Sequence, residues 1–158
     1  MAATNHERVG IAMEALKEGL GRYVLREYVN QYKARSVQEV QAVTGVIVDS
    51  KEAVDLLDTA ALLKLMWDRW NEVFRETLGN AERNLVSELR AARNDWAHQK
   101  AFSTDETYRA LDSTALLLNA VSSPQAGEIE KLREELLRIK FAEQARTERR
   151  RAGNTLVE

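Results

Sequence analysis

The sequence predicts an all-α protein, an antiparallel bundle of four to five helices with a long C-terminal helix. Three observations carry this expectation. Apolar residues recur at three- and four-residue steps along most of the chain. Pro124 is the only proline in 158 residues, and strong helix formers abound. Ser, Thr, Asn or Asp stands where each periodic run begins. The length suits one domain, and 44% hydrophobic residues suffice for one core.

Thr4 or Asn5 caps the first helix, with Glu7 in its opening turn. Val9, Met13, Leu16, Leu20, Val24 and Tyr28 form its apolar stripe, while His6, at a frayed start, reads as solvent-exposed. From Ser36 to Ser50 the pattern weakens. Val43 to Val48 is β-branched around Gly45, and with no partner strand it reads as a connector. Asp49 or Ser50 then caps a short turn holding Val54, Leu56 and Leu57. Asp58 or Thr59 caps a helix expected to run to Leu78 and to stop at Gly79 in a left-handed conformation. Trp67 and Trp70 on that helix read as core, since their neighbours at helical spacing are equally apolar.

Asn80 is the expected cap of the next helix, whose inward stripe is Leu85, Leu89, Ala92 and Trp96. Ser103 or Thr104 caps a helix with Glu106 near the capping-box position, and the short connection predicts that it runs antiparallel to its predecessor. Ser122, Ser123 and Pro124 break the chain. These breaks divide it into a bundle over 1–123 and a charged helix over 124–158, docked on the bundle or leading to a following domain. Ile129, Leu132, Leu136 and Ile139 hold three-four spacing before the pattern decays into the basic run Arg149 to Arg151, which reads as a solvated tail.

Composition excludes several function classes. Net charge is −2 with a pI of about 5.8, so no global basic field attracts nucleic acid, and any RNA contact must be local. The absence of cysteine rules out disulfides and thiolate zinc sites and fits a reducing cytoplasm. The two histidines lie far apart in sequence, so neither a metal site nor a cofactor is expected. No apolar run approaches a membrane span, and the N-terminal residues lack a signal peptide's basic and apolar regions. The expected location is therefore cytoplasmic, without membrane attachment.

One stretch gathers chemistry that the core does not require: Arg93, Asn94, Asp95, Trp96, Ala97 and His98. Asn94 and His98 are four apart and share a helix face, with Arg93 beside Asn94 and off the apolar stripe. Asp95 either neutralises Arg93 or points to solvent. Acting on a phosphodiester takes a proton-moving group titrating near neutrality, as an imidazole does at ~6.5. It also takes a fixed cation for developing negative charge, which a planar guanidinium supplies.

An arginine, a polar residue and a histidine in this spacing resemble the HEPN superfamily motif. The likeness extends to Leu62–Met66, Trp70–Phe74, the Arg93–His98 run and Tyr108–Asp112. Together these are similar to the HEPN branch that opens large bacterial ATPase and helicase-like phage-defence proteins. The resemblance implies a homodimer in which paired Arg93 and His98 cleave RNA without metal, with Asn94 orienting the histidine or a phosphate. It equally implies a non-catalytic dimerisation or regulatory module at the start of a larger ATPase.

Overall fold

The computed structural model describes residues 3–157, and the side chains of 3–154. It is all helical, with no strand among the described residues. The order is α1 (Asn5–Tyr32), α2 (Ser36–Thr44), α3 (Thr59–Asp68), α4 (Asn80–Ala97), α5 (Thr104–Ala120) and α6 (Ala126–Val157).

Helix α1 is the centre of the bundle. Its N-cap is Thr4, whose hydroxyl accepts from the Glu7 amide at 3.1 Å. Val9, Leu16, Leu20, Val24 and Tyr28 are fully buried, and Met13 nearly so, as the stripe predicts. Two side-chain bonds tie α1 to α3. Thr59 donates to the Met13 carbonyl at 2.6 Å, and the Tyr28 hydroxyl donates to the Leu65 carbonyl at 2.6 Å. Burial pushes the Tyr28 phenol far above its usual range, so it remains a neutral donor.

The weakly patterned segment is partly helical. α2 runs through Val43 and ends where Gly45 adopts φ +76, its amide donating to the Gln41 carbonyl at 2.7 Å. This is the left-handed terminator that only a glycine takes without steric cost. The residues after it form a connector, as expected. Gly79, where the sequence suggests such a terminator, instead has φ −103 and serves as the N-cap of α4. Asn80 is the first helical residue of α4, not its cap.

α3 is shorter than its periodicity suggests. Asp58 caps it, accepting from the Ala61 amide at 2.8 Å, and regular α-helix ends at Asp68. The chain then widens into a π-turn over Trp70–Phe74, closed by the Arg75 amide on the Trp70 carbonyl at 2.9 Å. This wider turn seats Trp70, Val73 and Phe74 in the core, with Phe74 against Tyr23 and Tyr28 of α1. Periodicity cannot reveal it, because the same apolar residues suit either helix type. Arg69 fastens the junction to α2 and α1, pairing with Glu39 at 2.8 Å and donating to the Tyr32 hydroxyl at 3.2 Å.

α5 begins with a complete capping box between Ser103 and Glu106 and runs back along α4, its Arg109 bonded to Glu88. It ends at Ala120 with Val121 as C-cap, and Ser122, at φ +58, lets the Ser123 amide reach the Leu118 carbonyl at 2.8 Å. α6 is antiparallel to α5, fastened by Glu130 to Asn119, Arg133 to Asp112 and Lys140 to Asp105. Its Ile129 and Leu136 enter the core, whereas Phe141 is exposed. Beyond Lys140 the helix continues to Val157, about 25 Å further along its axis.

Candidate functional site at the end of α4

The Arg93-to-His98 stretch occupies the last turn of α4 and its exit. Three neighbours pin this turn. The α4 carboxyl end closes with the Gln99 amide on the Trp96 carbonyl at 3.1 Å and the Lys100 amide on the Asp95 carbonyl at 2.9 Å. That double closure requires a left-handed residue after the cap, and Gln99 fills it at φ +60. His98 is the C-cap, and its amide still bonds the Asn94 carbonyl at 3.0 Å. The histidine therefore sits on an ordered helix end.

The second neighbour is the start of α1. The Trp96 indole stacks on the His6 imidazole at 5.5 Å with planes 17° apart, and its N–H donates to the His6 carbonyl at 3.2 Å. Gly10 permits this approach, since a Cβ there would stand 3.2 Å from the indole nitrogen. Nearby, Arg8 is buried and donates to Asn5 at 2.9 Å, while Asn5 donates to the Phe102 carbonyl at 3.1 Å. His6 is thus half-buried beneath the motif helix, not exposed as expected from its place near the chain start.

The third neighbour is the start of α3. Arg93 is half-buried and faces Asp58 at 3.8 Å, a loose ion pair with an otherwise exposed carboxylate. Asp58 thus serves both as helix cap and as counter-ion. Asp95 does not neutralise Arg93; it pairs with Lys100 at 3.7 Å. Asn94 and His98 are exposed, and among the described residues no side-chain hydrogen bond or ion pair joins Arg93, Asn94 and His98 to one another. One chain places the three on one helix end without closing them into a catalytic cluster.

On its other side α4 forms a groove of about 320 Å³ with α5, lined by Glu88, Asp95, Glu106 and Arg109 among others. Arg109 bonds Glu88 and holds its carboxyl below the usual range, helped by Ser113 at 3.1 Å. Three carboxylates make this face a poor phosphate site, so anion chemistry belongs to the Arg93 side. Among the described residues no group of three or more His, Asp or Glu side chains has the arrangement of a metal site. No described helix is long and apolar enough to cross a membrane.

Two partners of the motif were not visible in its own sequence. Asp58 was recognised only as a cap and His6 only as a frayed end, because both contacts join segments far apart in the chain. No curated protein and no solved structure matches the chain significantly. A family model, Swt1-like HEPN, matches residues 11–122, more than half of the chain and the whole of the motif helix. With the all-helical bundle and the motif at the end of α4, this match establishes that the chain belongs to the Swt1-like HEPN family.

Proposed function

We propose that this HEPN domain is one half of a metal-independent endoribonuclease that acts as a homodimer in the bacterial cytoplasm, in a defence or stress system. The observation that carries the reading is the placement of Arg93, Asn94 and His98 at an ordered, accessible helix end that the core does not use. In the dimer, two such ends face each other and double the local charge. His98 takes the proton from the RNA 2′-hydroxyl as its oxygen bonds to phosphorus. The P–O5′ bond breaks, a proton passes to the departing 5′-oxygen, and a 2′,3′-cyclic phosphate remains. The Arg93 guanidinium stabilises the charge on the phosphoryl oxygens, and Asn94 orients His98 or the phosphate.

Cleavage of RNA by the purified protein in EDTA tests this. His98→Ala is expected to abolish cleavage, and Arg93→Ala to slow it by about 10²-fold or more, as for a lost oxyanion donor. Arg93→Lys should rescue poorly, because a point charge lacks the donor fork. DNA should be untouched for want of the 2′-hydroxyl. Wild type inert on RNA, or His98→Ala as active as wild type, overturns the reading.

One observation favours a second reading. The Asp58 carboxylate already faces Arg93 within one chain, which suits a non-catalytic dimerisation or regulatory module ahead of a larger ATPase or helicase-like domain. The long α6 offers a connection to such a domain. Under this reading the Arg93 and His98 variants leave the ATPase partner's activity unchanged, while variants that break the dimer alter it.

A further inference from the structure

Trp67 of α3 is embraced by two arginines of α4. The guanidinium carbon of Arg83 lies 5.0 Å from the indole centroid, and that of Arg90 lies 5.8 Å away. Arg83 and Arg90 are two helical turns apart and so share one face, and Arg93 follows three residues later at the motif. Over about 15 Å of helix axis, α4 carries three arginines, two of them against the half-buried Trp67 ring and the third, Arg93, facing Asp58.

The charge on this face is not balanced locally. Among the described residues no carboxylate pairs with Arg83 or Arg90, and the buried Arg83 Nε has no hydrogen-bond partner. The adjacent Glu82 makes no ion pair with either arginine. Asp58 holds Arg93 only loosely, and Asp68 is exposed on the neighbouring helix. Packing alone accounts for covering the indole, but an aliphatic side chain covers it without unpaired charge. In a protein of net charge −2, two cations held against one tryptophan without a carboxylate partner suit an anionic, aromatic ligand.

From this geometry we infer that the α3–α4 face is a track for single-stranded RNA leading to Arg93. The inference rests on the reading of the domain as one that acts on RNA. Arg83 and Arg90 engage phosphates, and the part of the half-buried Trp67 ring that they leave uncovered offers its π-surface to a base. Stacking on the indole preorganises the guanidinium groups, so less side-chain freedom is lost on binding. A cationic groove with an aromatic platform is the usual means of holding single strands irrespective of sequence.

The test is fluorescence anisotropy of a short labelled oligouridylate, titrated in a His98→Ala background so that binding is read without cleavage. Arg83→Gln with Arg90→Gln is expected to weaken binding at least about tenfold and to flatten the salt slope by roughly 1.4, the value for two lost phosphate contacts on a single strand. Arg83→Lys with Arg90→Lys should keep the slope, and Trp67→Leu should cost about tenfold while Trp67→Phe costs little. Unchanged affinity and slope in the Gln pair overturn the track, as does a parent protein that binds no oligouridylate. A changed oligomeric mass at unchanged affinity also overturns it and assigns the face to protein contact. RNA bound through these residues but never cut by the protein with His98 intact leaves the track standing and removes the nuclease. RNA cut equally well by the Gln pair does the reverse.

Discussion

At the scale of single residues, Asp58 decides how available Arg93 is. Its carboxylate caps α3 and faces the motif cation, and the two roles separate by substitution. Asn caps as well as Asp but carries no charge, so Asp58→Asn should leave the melting temperature nearly unchanged while freeing Arg93. If the domain is a nuclease, turnover rises several-fold; a fall in turnover at unchanged stability shows that Asp58 aids the arginine. Asp58→Ala loses the cap as well and should destabilise by about 1 kcal/mol. Glu88 gives a pH signature of its own. Arg109 and Ser113 hold its folded pKa below the unfolded value, so its contribution is present above the unfolded value and is lost as pH falls through the folded one. Melting followed from neutral pH into acid should show Glu88→Gln losing the most relative stability near neutrality and the two curves converging in acid. A constant offset across the range removes this account.

At the scale of elements, the end of α4 depends on the start of α1. Trp96 carries the contact through its stack on His6, its N–H bond and the close approach at Gly10. Trp96→Leu should therefore cost about 2–3 kcal/mol, less than for a fully buried tryptophan because the ring is half-exposed. Amide exchange at Asp95–Lys100 should speed up by more than the global loss of stability explains, since the turn bearing His98 is released locally. Equal acceleration throughout the protein would show that Trp96 acts only on global stability. The π-turn after α3 has a comparable role. It seats three apolar residues in the core and leaves Arg69 to fasten α2 to the end of α1.

At the scale of the whole molecule, the prediction is assembly through the motif faces. Asn94 is exposed, so Asn94→Glu should leave the monomer's melting within the narrow range of surface changes. Across a two-fold axis the substitution occurs twice and places like charges opposite each other. Light scattering is expected to give a dimer for the wild type and a shift toward monomer for Asn94→Glu, most marked at low salt. A wild type that remains monomeric at every concentration, or a dimer indifferent to Asn94→Glu, moves the interface elsewhere or removes it.

Much of this was legible in the sequence because it is local. The stripe on α1, the helix starts at Thr4 or Asn5, Asp58 or Thr59 and Ser103 or Thr104, and the motif at the end of α4 each follow from residues a few positions apart. Which residue of each pair caps its helix, Thr4, Asp58 and Ser103, is settled by the folded geometry. Local patterning also misled where two structures share one pattern. Val43 to Val48 reads as a connector, yet Val43 and Thr44 close α2 and only the residues after Gly45 connect, and Trp70 to Phe74 suit an α-turn or a π-turn. Periodicity and motif spacing already specify a helical bundle presenting an arginine, an amide and a histidine at one helix end. Their surroundings emerge only in the folded chain: Asp58 against Arg93, His6 beneath Trp96, and Arg83 and Arg90 against Trp67. These contacts depend on how separate helices pack, which the whole core sets at once and no periodicity within one helix encodes.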